Sequence, residues 1–133
     1  MDPDRQQEAL GRALPLRPRD FFVLVVLAAG DLHGYGIMKE VERESRGSVR
    51  LEVGSLYRTL DRLLNARLIA EAGGTGAPPP SAPTAPSAGS ERRRCYRLTS
   101  FGRRVARAEA ERLREVLRLA AVKSLLEGAG ETP

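Results

Sequence analysis

The sequence predicts a mainly α (α+β) domain, with several helices and one small β element. Three observations carry this. Apolar residues recur at helical spacing in several stretches of the 133-residue chain. Two short runs, at 68–72 and 95–98, read instead as strands. Hydrophobic residues make up 41% and charged residues 29%, the balance of a single globular domain rather than of a disordered or fibrous chain.

Gln6 to Leu14 suit a short first helix, stopped by Pro15 and Pro18. Asp20 is then a plausible N-cap for a helix from Phe21 to Ala29 that is apolar nearly all round and so belongs to the core. Gly30 and Asp31 end it. A further helix runs from Gly34 or Tyr35 to about Ser45, with Tyr35, Met38 and Val41 spaced three apart. Gly47 breaks the chain, and Val49 and Leu51 alternate with Arg50 and Glu52 as a short extended segment. Next, Val53, Leu56, Tyr57, Leu60, Leu63 and Leu64 form one apolar helical stripe. The face expected opposite them is Ser55, Arg58, Thr59, Arg62 and Asn65. It carries two arginines and no acid, a set suited to base edges in a DNA groove, and it also suits an ordinary solvated helix face.

Leu68 to Ala72 reads as a strand. Residues 73–90 are then only Gly, Pro, Ala, Ser and Thr, a composition with nothing to offset the entropy of ordering, so a flexible tether is expected. Tyr96 and Leu98 share one side of a second strand, Cys95 and Arg97 the other. Six arginines fall between Glu91 and Arg104, which fits a basic two-stranded hairpin or a solvated charged edge. Thr99 or Ser100 can cap a final helix from Phe101 to about Leu126. Ala106, Ala110, Leu113, Leu117 and Ala120 form a coiled-coil-type seam along it, broadened by Val105, Val116, Leu119 and Val122. One small core cannot easily cover that surface, so a second copy of the chain is expected there.

The net charge of +5 points to an anionic partner. The longest apolar run, Phe21 to Ala29, falls short of the ~20 residues a spanning helix needs, so no membrane partner is expected. The first sixteen residues carry Asp2, Asp4, Arg5 and Glu8 and no apolar run, so no secretory leader is expected and the cytoplasm is the expected location. Cys95 is the single cysteine and His33 the single histidine, and no nucleophile–base motif is present. Neither an enzyme nor a metal or other cofactor is expected. His33 precedes a helix and suits a structural hydrogen bond better than pH sensing or metal binding. Cys95, between arginines, reads as a small structural residue, although its neighbours could lower its thiol pKa.

The order of elements is that of a winged helix-turn-helix with a two-stranded wing and a long C-terminal dimerisation helix. Leu32-His33-Gly34-Tyr35-Gly36-Ile37, Gly54-Ser55-Leu56-Tyr57-Arg58-Thr59-Leu60 with Arg62-Leu63-Leu64, Leu68-Ile69, and Tyr96-Arg97-Leu98-Thr99-x-x-Gly102 follow in that order. Together they resemble the PadR family of bacterial transcriptional regulators, over roughly residues 20–125. The short C-terminus is similar to the subfamily with one terminal helix. Arg67 stands where family members usually have Gly, so either it takes a strained left-handed turn or the turn differs locally. Val53 stands where Pro is frequent, and the tether is longer than the usual wing tip.

The resemblance implies a dimeric repressor of its own or a neighbouring gene. Such a protein binds an inverted-repeat operator in double-stranded DNA and is relieved by a small molecule or other signal of unknown identity. The chain has no Trp, so the family's binding of a flat compound between tryptophans does not transfer. The expected units are a leader at 1–19, a DNA-binding domain at 20–100 with its insertion at 73–90, a dimerisation helix at 101–127 and a tail at 128–133. The DNA-contacting set is Tyr35, Lys39, Arg50, Ser55, Tyr57, Arg58, Thr59, Arg62, Arg92, Arg93, Arg94 and Arg97. Tyr57 belongs to the apolar stripe, and its hydroxyl could also reach a phosphate. The dimerisation set is Phe22, Ala106, Ala110, Leu113, Val116, Leu117 and Ala120. Two alternatives are a winged-helix adaptor or anti-activator without DNA binding and a MarR-type ligand-responsive regulator.

Overall fold

The computed structural model describes residues 3–72 and 94–128. The insertion at 73–90, Arg92 and Arg93, and the tail from 129 lie outside the described residues. The elements are helices α1 (Pro3–Ala13) and α2 (Pro18–Ala28), strand β1 (Leu32–His33), and helices α3 (Gly34–Glu44) and α4 (Val53–Asn65). Strands β2 (Ile69–Ala72) and β3 (Cys95–Leu98) follow, then helices α5 (Ser100–Arg118) and α6 (Ala120–Glu127). This is a winged helix: α2, α3 and α4 form the helical layer, and the β2–β3 hairpin forms the wing. Among the described residues no helix is long and apolar enough to cross a membrane.

The sheet has three strands: the expected two-stranded hairpin of β2 and β3, with β1 added beside β3. β3 is central, antiparallel to β2 on one side and to β1 on the other, with Leu32 opposite Tyr96 and His33 opposite Cys95. Two residues are too few to show a strand period, which is why β1 leaves no sequence signal. The 49–52 segment forms no strand. Its fold is local: the Ser45 hydroxyl accepts from Val49 N–H at 3.0 Å and donates to the Val49 carbonyl at 3.1 Å. Leu51 then turns inward and is buried.

The core joins Val23, Leu24 and Leu27 of α2 to Ile37 and Val41 of α3, and Leu56, Leu60 and Leu63 of α4 to Ile69, Tyr96 and Val105. Removing these side chains from water is the main term holding the elements together, about 1.5–3 kcal/mol for each large aliphatic group. α2 starts three residues earlier than Asp20 would allow as a cap. Pro18 sits at its first position, where a missing N–H costs nothing, and Arg17 is the capping residue. Asp20 therefore lies in the first turn, buried, and its carboxylate meets Arg62 of α4.

The final helix is interrupted. Leu119 is extended, with φ −61° and ψ 135°, and separates α5 from α6, although neither Gly nor Pro is nearby. α5 is anchored only along its first half. Arg104 donates to Gln6 Oε1 of α1 at 2.6 Å. Glu109 is buried, accepts two bonds from Arg112 at 2.8 Å, and has its carboxyl held below the ordinary value, first by Arg112 and further by the Leu16 N–H.

The Thr99-x-x-Gly102 pair explains how α5 meets the end of α4. Thr99 Oγ1 accepts from Gly102 N–H at 2.9 Å as an N-cap, and its hydroxyl lies 2.7 Å from the Arg67 carbonyl and 3.0 Å from that of Leu68. A Cβ on residue 102 would fall 1.9 Å from the Leu68 carbonyl oxygen, so only glycine fits. The α4 terminus itself is a Schellman turn. Leu68 N–H bonds the Leu63 carbonyl and Arg67 N–H bonds that of Leu64, both at 3.0 Å, with Arg67 at φ 63°. Of the two expectations for Arg67, the left-handed turn is the one found.

Candidate nucleic-acid interface

α4 is amphipathic, but its buried stripe is rotated from the expected one. Leu56, Thr59, Leu60 and Leu63 face inward, at helical offsets of three and four. Thr59 is 1% exposed, so it belongs to the interior and cannot read a groove. Val53, expected inside, is 59% exposed. A threonine methyl packs like a small apolar group, while Val53 sits in the first turn before the stripe meets the core. The outward ridge is Gly54, Arg58, Asp61 and Asn65, all exposed, with Arg62 beside it.

Several expected contact residues already hold structural partners. Ser55 Oγ accepts the Glu52 N–H at 3.0 Å and donates to the Glu52 carbonyl, closing the start of α4. Arg62 spans to the buried Asp20 and keeps 42% of its side chain exposed. Tyr57 is half-buried, with its hydroxyl 2.9 Å from where a Cβ on Gly34 would stand, so Gly34 makes the room it occupies. Arg58 has no hydrogen bond or ion pair to another described residue and projects from the ridge.

Cations flank this ridge. Arg50 Nε lies 3.5 Å from Glu42, with both side chains largely exposed. Lys39 Nζ lies 5.5 Å from the centre of the Tyr35 ring. On the wing, Arg94 pairs loosely with Glu71 at 3.4 Å and Arg97 is exposed. Exposed pairs of this kind hold their charges weakly and leave them usable by a stronger anion.

Beneath the arginines the wing is apolar. Tyr96 is buried, and its hydroxyl is pushed up to about 12, first by burial and then by Tyr57. The Cys95 thiol is pushed up as well, first by burial and then by the charge of Asp31. Burial and Asp31 thus outweigh the lowering that neighbouring arginines could give, and Cys95 is a half-buried residue. His33 Nε2 is buried without a hydrogen-bond partner among the described residues.

The expected dimerisation residues divide. Phe22 and Ala106 pack against the core of this protomer. Leu113 and Val116 are each 37% exposed and Leu117 is 55% exposed; Ala110 and Ala120 are exposed too. The Asp20–Arg62 pair has no local signature, since its members lie 42 residues apart.

Residues 23–80 match the model of the transcriptional regulator PadR-like family. Over that span the chain is similar to the PadR-like family of transcriptional regulators. The matched span runs from within α2 through α4 and β2, the elements that build and present the outward ridge. A search of curated proteins finds no match to this chain. Among solved structures it is similar to a transcriptional regulator from Clostridium thermocellum, with 21% identity, a TM-score of 0.54, and coverage of 74% of this chain and 85% of that one. At that identity the likeness is one of fold.

Proposed function

We propose that this PadR-like transcription regulator binds double-stranded DNA sequence-specifically through α4, as a homodimeric repressor of its own or a neighbouring gene. The observation that carries the reading is the outward ridge of α4, where Arg58 stands between Gly54 and Asn65 without a partner among the described residues. A guanidinium in that position can donate two bonds to guanine, and Asn65 can pair with adenine. The unit that binds is residues 20–100, and the arm that dimerises is 101–127. Two copies of α4 then enter successive major grooves about 34 Å apart, on an inverted-repeat operator. Arg94 and Arg97, together with Arg92 and Arg93, lie along the flanking backbone, with Lys39, Tyr35 and Arg50 as further phosphate contacts. Tyr57 and Ser55 support α4 from within. Release follows a signal acting on the dimer.

Genome-wide selection of bound fragments with the purified protein supplies the operator. Arg58→Ala is then expected to weaken operator binding by about 1–3 kcal/mol while leaving binding to unrelated duplex unchanged. Equal operator affinity in wild type and variant would remove α4 from the recognition role.

A further inference from the structure

A cleft of about 570 Å³ opens between the first turn of α2 and the loop joining α3 to α4. Its lining is Arg17, Pro18 and Arg19 on one side, Ser48, Val49 and Arg50 on the other, and Arg62 of α4. Four guanidinium groups thus border one cavity, and none of the lining residues is acidic. The nearest carboxylates are spent or loosely held. Asp20 is buried against Arg62, and Glu42 reaches Arg50 at only 3.5 Å with both side chains largely exposed. Arg17 and Arg19 have no ion-pair partner among the described residues.

Cations gathered this way repel one another, and an anion among them removes that cost. A carboxylate can saturate one guanidinium fork with its two oxygens. A phosphate offers more oxygens and can accept from several forks at once, so it suits a cleft bordered by four. Pro18 fixes the backbone between Arg17 and Arg19, and the Ser45–Val49 hydrogen bonds fix the loop that carries Arg50, so both walls are held before any ligand arrives.

We propose that this cleft is a phosphate-binding site, with Arg17, Arg19 and Arg50 as its contacts and Arg62 linking it to α4. The phosphate comes from the backbone of bound duplex, a source that rests on the DNA-binding reading above, or from a free phosphorylated small molecule, which does not. Arg17 and Arg19 are exposed, so the Arg17→Gln/Arg19→Gln variant keeps the fold, and an unchanged circular-dichroism melt verifies it. Arg5→Gln/Arg12→Gln, on the exposed side of α1 and outside the dimerising arm, removes the same charge elsewhere.

Duplex binding is measured by fluorescence anisotropy over a salt series for all three proteins. In parallel, inorganic pyrophosphate is titrated while backbone amide NMR shifts are followed. If the duplex is the source, the slope of log affinity against log salt falls by about 0.9 for each phosphate that the cleft variant no longer neutralises, and the α1 variant keeps the wild-type slope. If a free phosphate is the source, pyrophosphate shifts the amides of Arg17, Arg19 and Arg50 in the wild type but not in the cleft variant, and the slope is unchanged. That second result supports the cleft even if the wild type binds no duplex, which would defeat the DNA-binding reading alone. An unchanged slope with no pyrophosphate shifts, or an equal fall in slope for both variants, overturns the cleft. Duplex binding by the wild type would then still stand.

Discussion

α4 and the distal part of α5 with α6 carry the same kind of apolar pattern and meet opposite fates. On α4, Leu56, Leu60 and Leu63 are no more than 2% exposed. Beyond Glu109 no described residue of α5 or α6 is buried, and Leu117, Leu119, Leu125 and Leu126 are each more than half exposed. A helical period shows that a face exists; it does not show what covers it. α4 is covered by its own chain because α2, α3 and the wing close around it. The distal arm runs past the core and leaves an apolar surface that a second copy can cover.

The largest effect separates these two regions directly. Leu60→Ala removes a fully buried side chain and is expected to cost about 2–5 kcal/mol in urea unfolding. Leu125→Ala, at 75% exposed, is expected to change monomer stability by about 0.5 kcal/mol or less. Comparable costs at low protein concentration would mean that the arm is packed within the monomer, and the contrast would fail.

Gly102→Ala tests the joint between the regions. Its Cβ must displace the Leu68 carbonyl, a backbone atom that cannot rotate away, so a destabilisation of about 3 kcal/mol is expected, read as a lower urea midpoint. A neutral result would show that α5 shifts freely on the wing.

Glu109 is the last residue of α5 that the core holds, and its test is a pH profile. Its carboxyl titrates below the ordinary value of 4.5, chiefly because of Arg112, so its contribution is full above that range and fades as pH falls through the lowered folded value. Glu109→Gln is expected to cost about 1–2 kcal/mol at neutral pH and to show a shallower acid decline than the wild type. Parallel acid profiles would place the titrating group elsewhere.

The smallest expected change is a gain. Arg67 holds φ 63°, where a Cβ is unfavourable, so Arg67→Gly should stabilise by about 0.5 kcal/mol after its added freedom in the unfolded chain is counted. A lower melting temperature would mean that the Arg67 side chain contributes more than its backbone costs.

The legible parts of the chain are those with a local cause. α2, α3 and α4 follow from apolar spacing, and the left-handed turn at Arg67 is one of the two outcomes expected at that position. Thr59 misleads because its hydroxyl reads as polar, although its spacing from Leu56 and Leu63 is that of a core residue. Asp20 looks like a cap because its partner, Arg62, lies far along the chain, and a buried long-range pair leaves no mark on spacing. β1 is too short to show a period, and the break at Leu119 has no Gly or Pro to announce it. At the candidate interface, residue types point to the arginines of α4, but only the fold distinguishes Arg58, which projects outward, from Arg62, which is held by Asp20.

The account turns on paired copies of α4 gripping one duplex. Analytical ultracentrifugation of the purified chain, alone and with an operator fragment labelled for detection, measures pairing and binding together. The expected result is a dimer that sediments with one duplex as a two-protomer complex and is released by added salt. A strict monomer that leaves every duplex unbound at low ionic strength would contradict it.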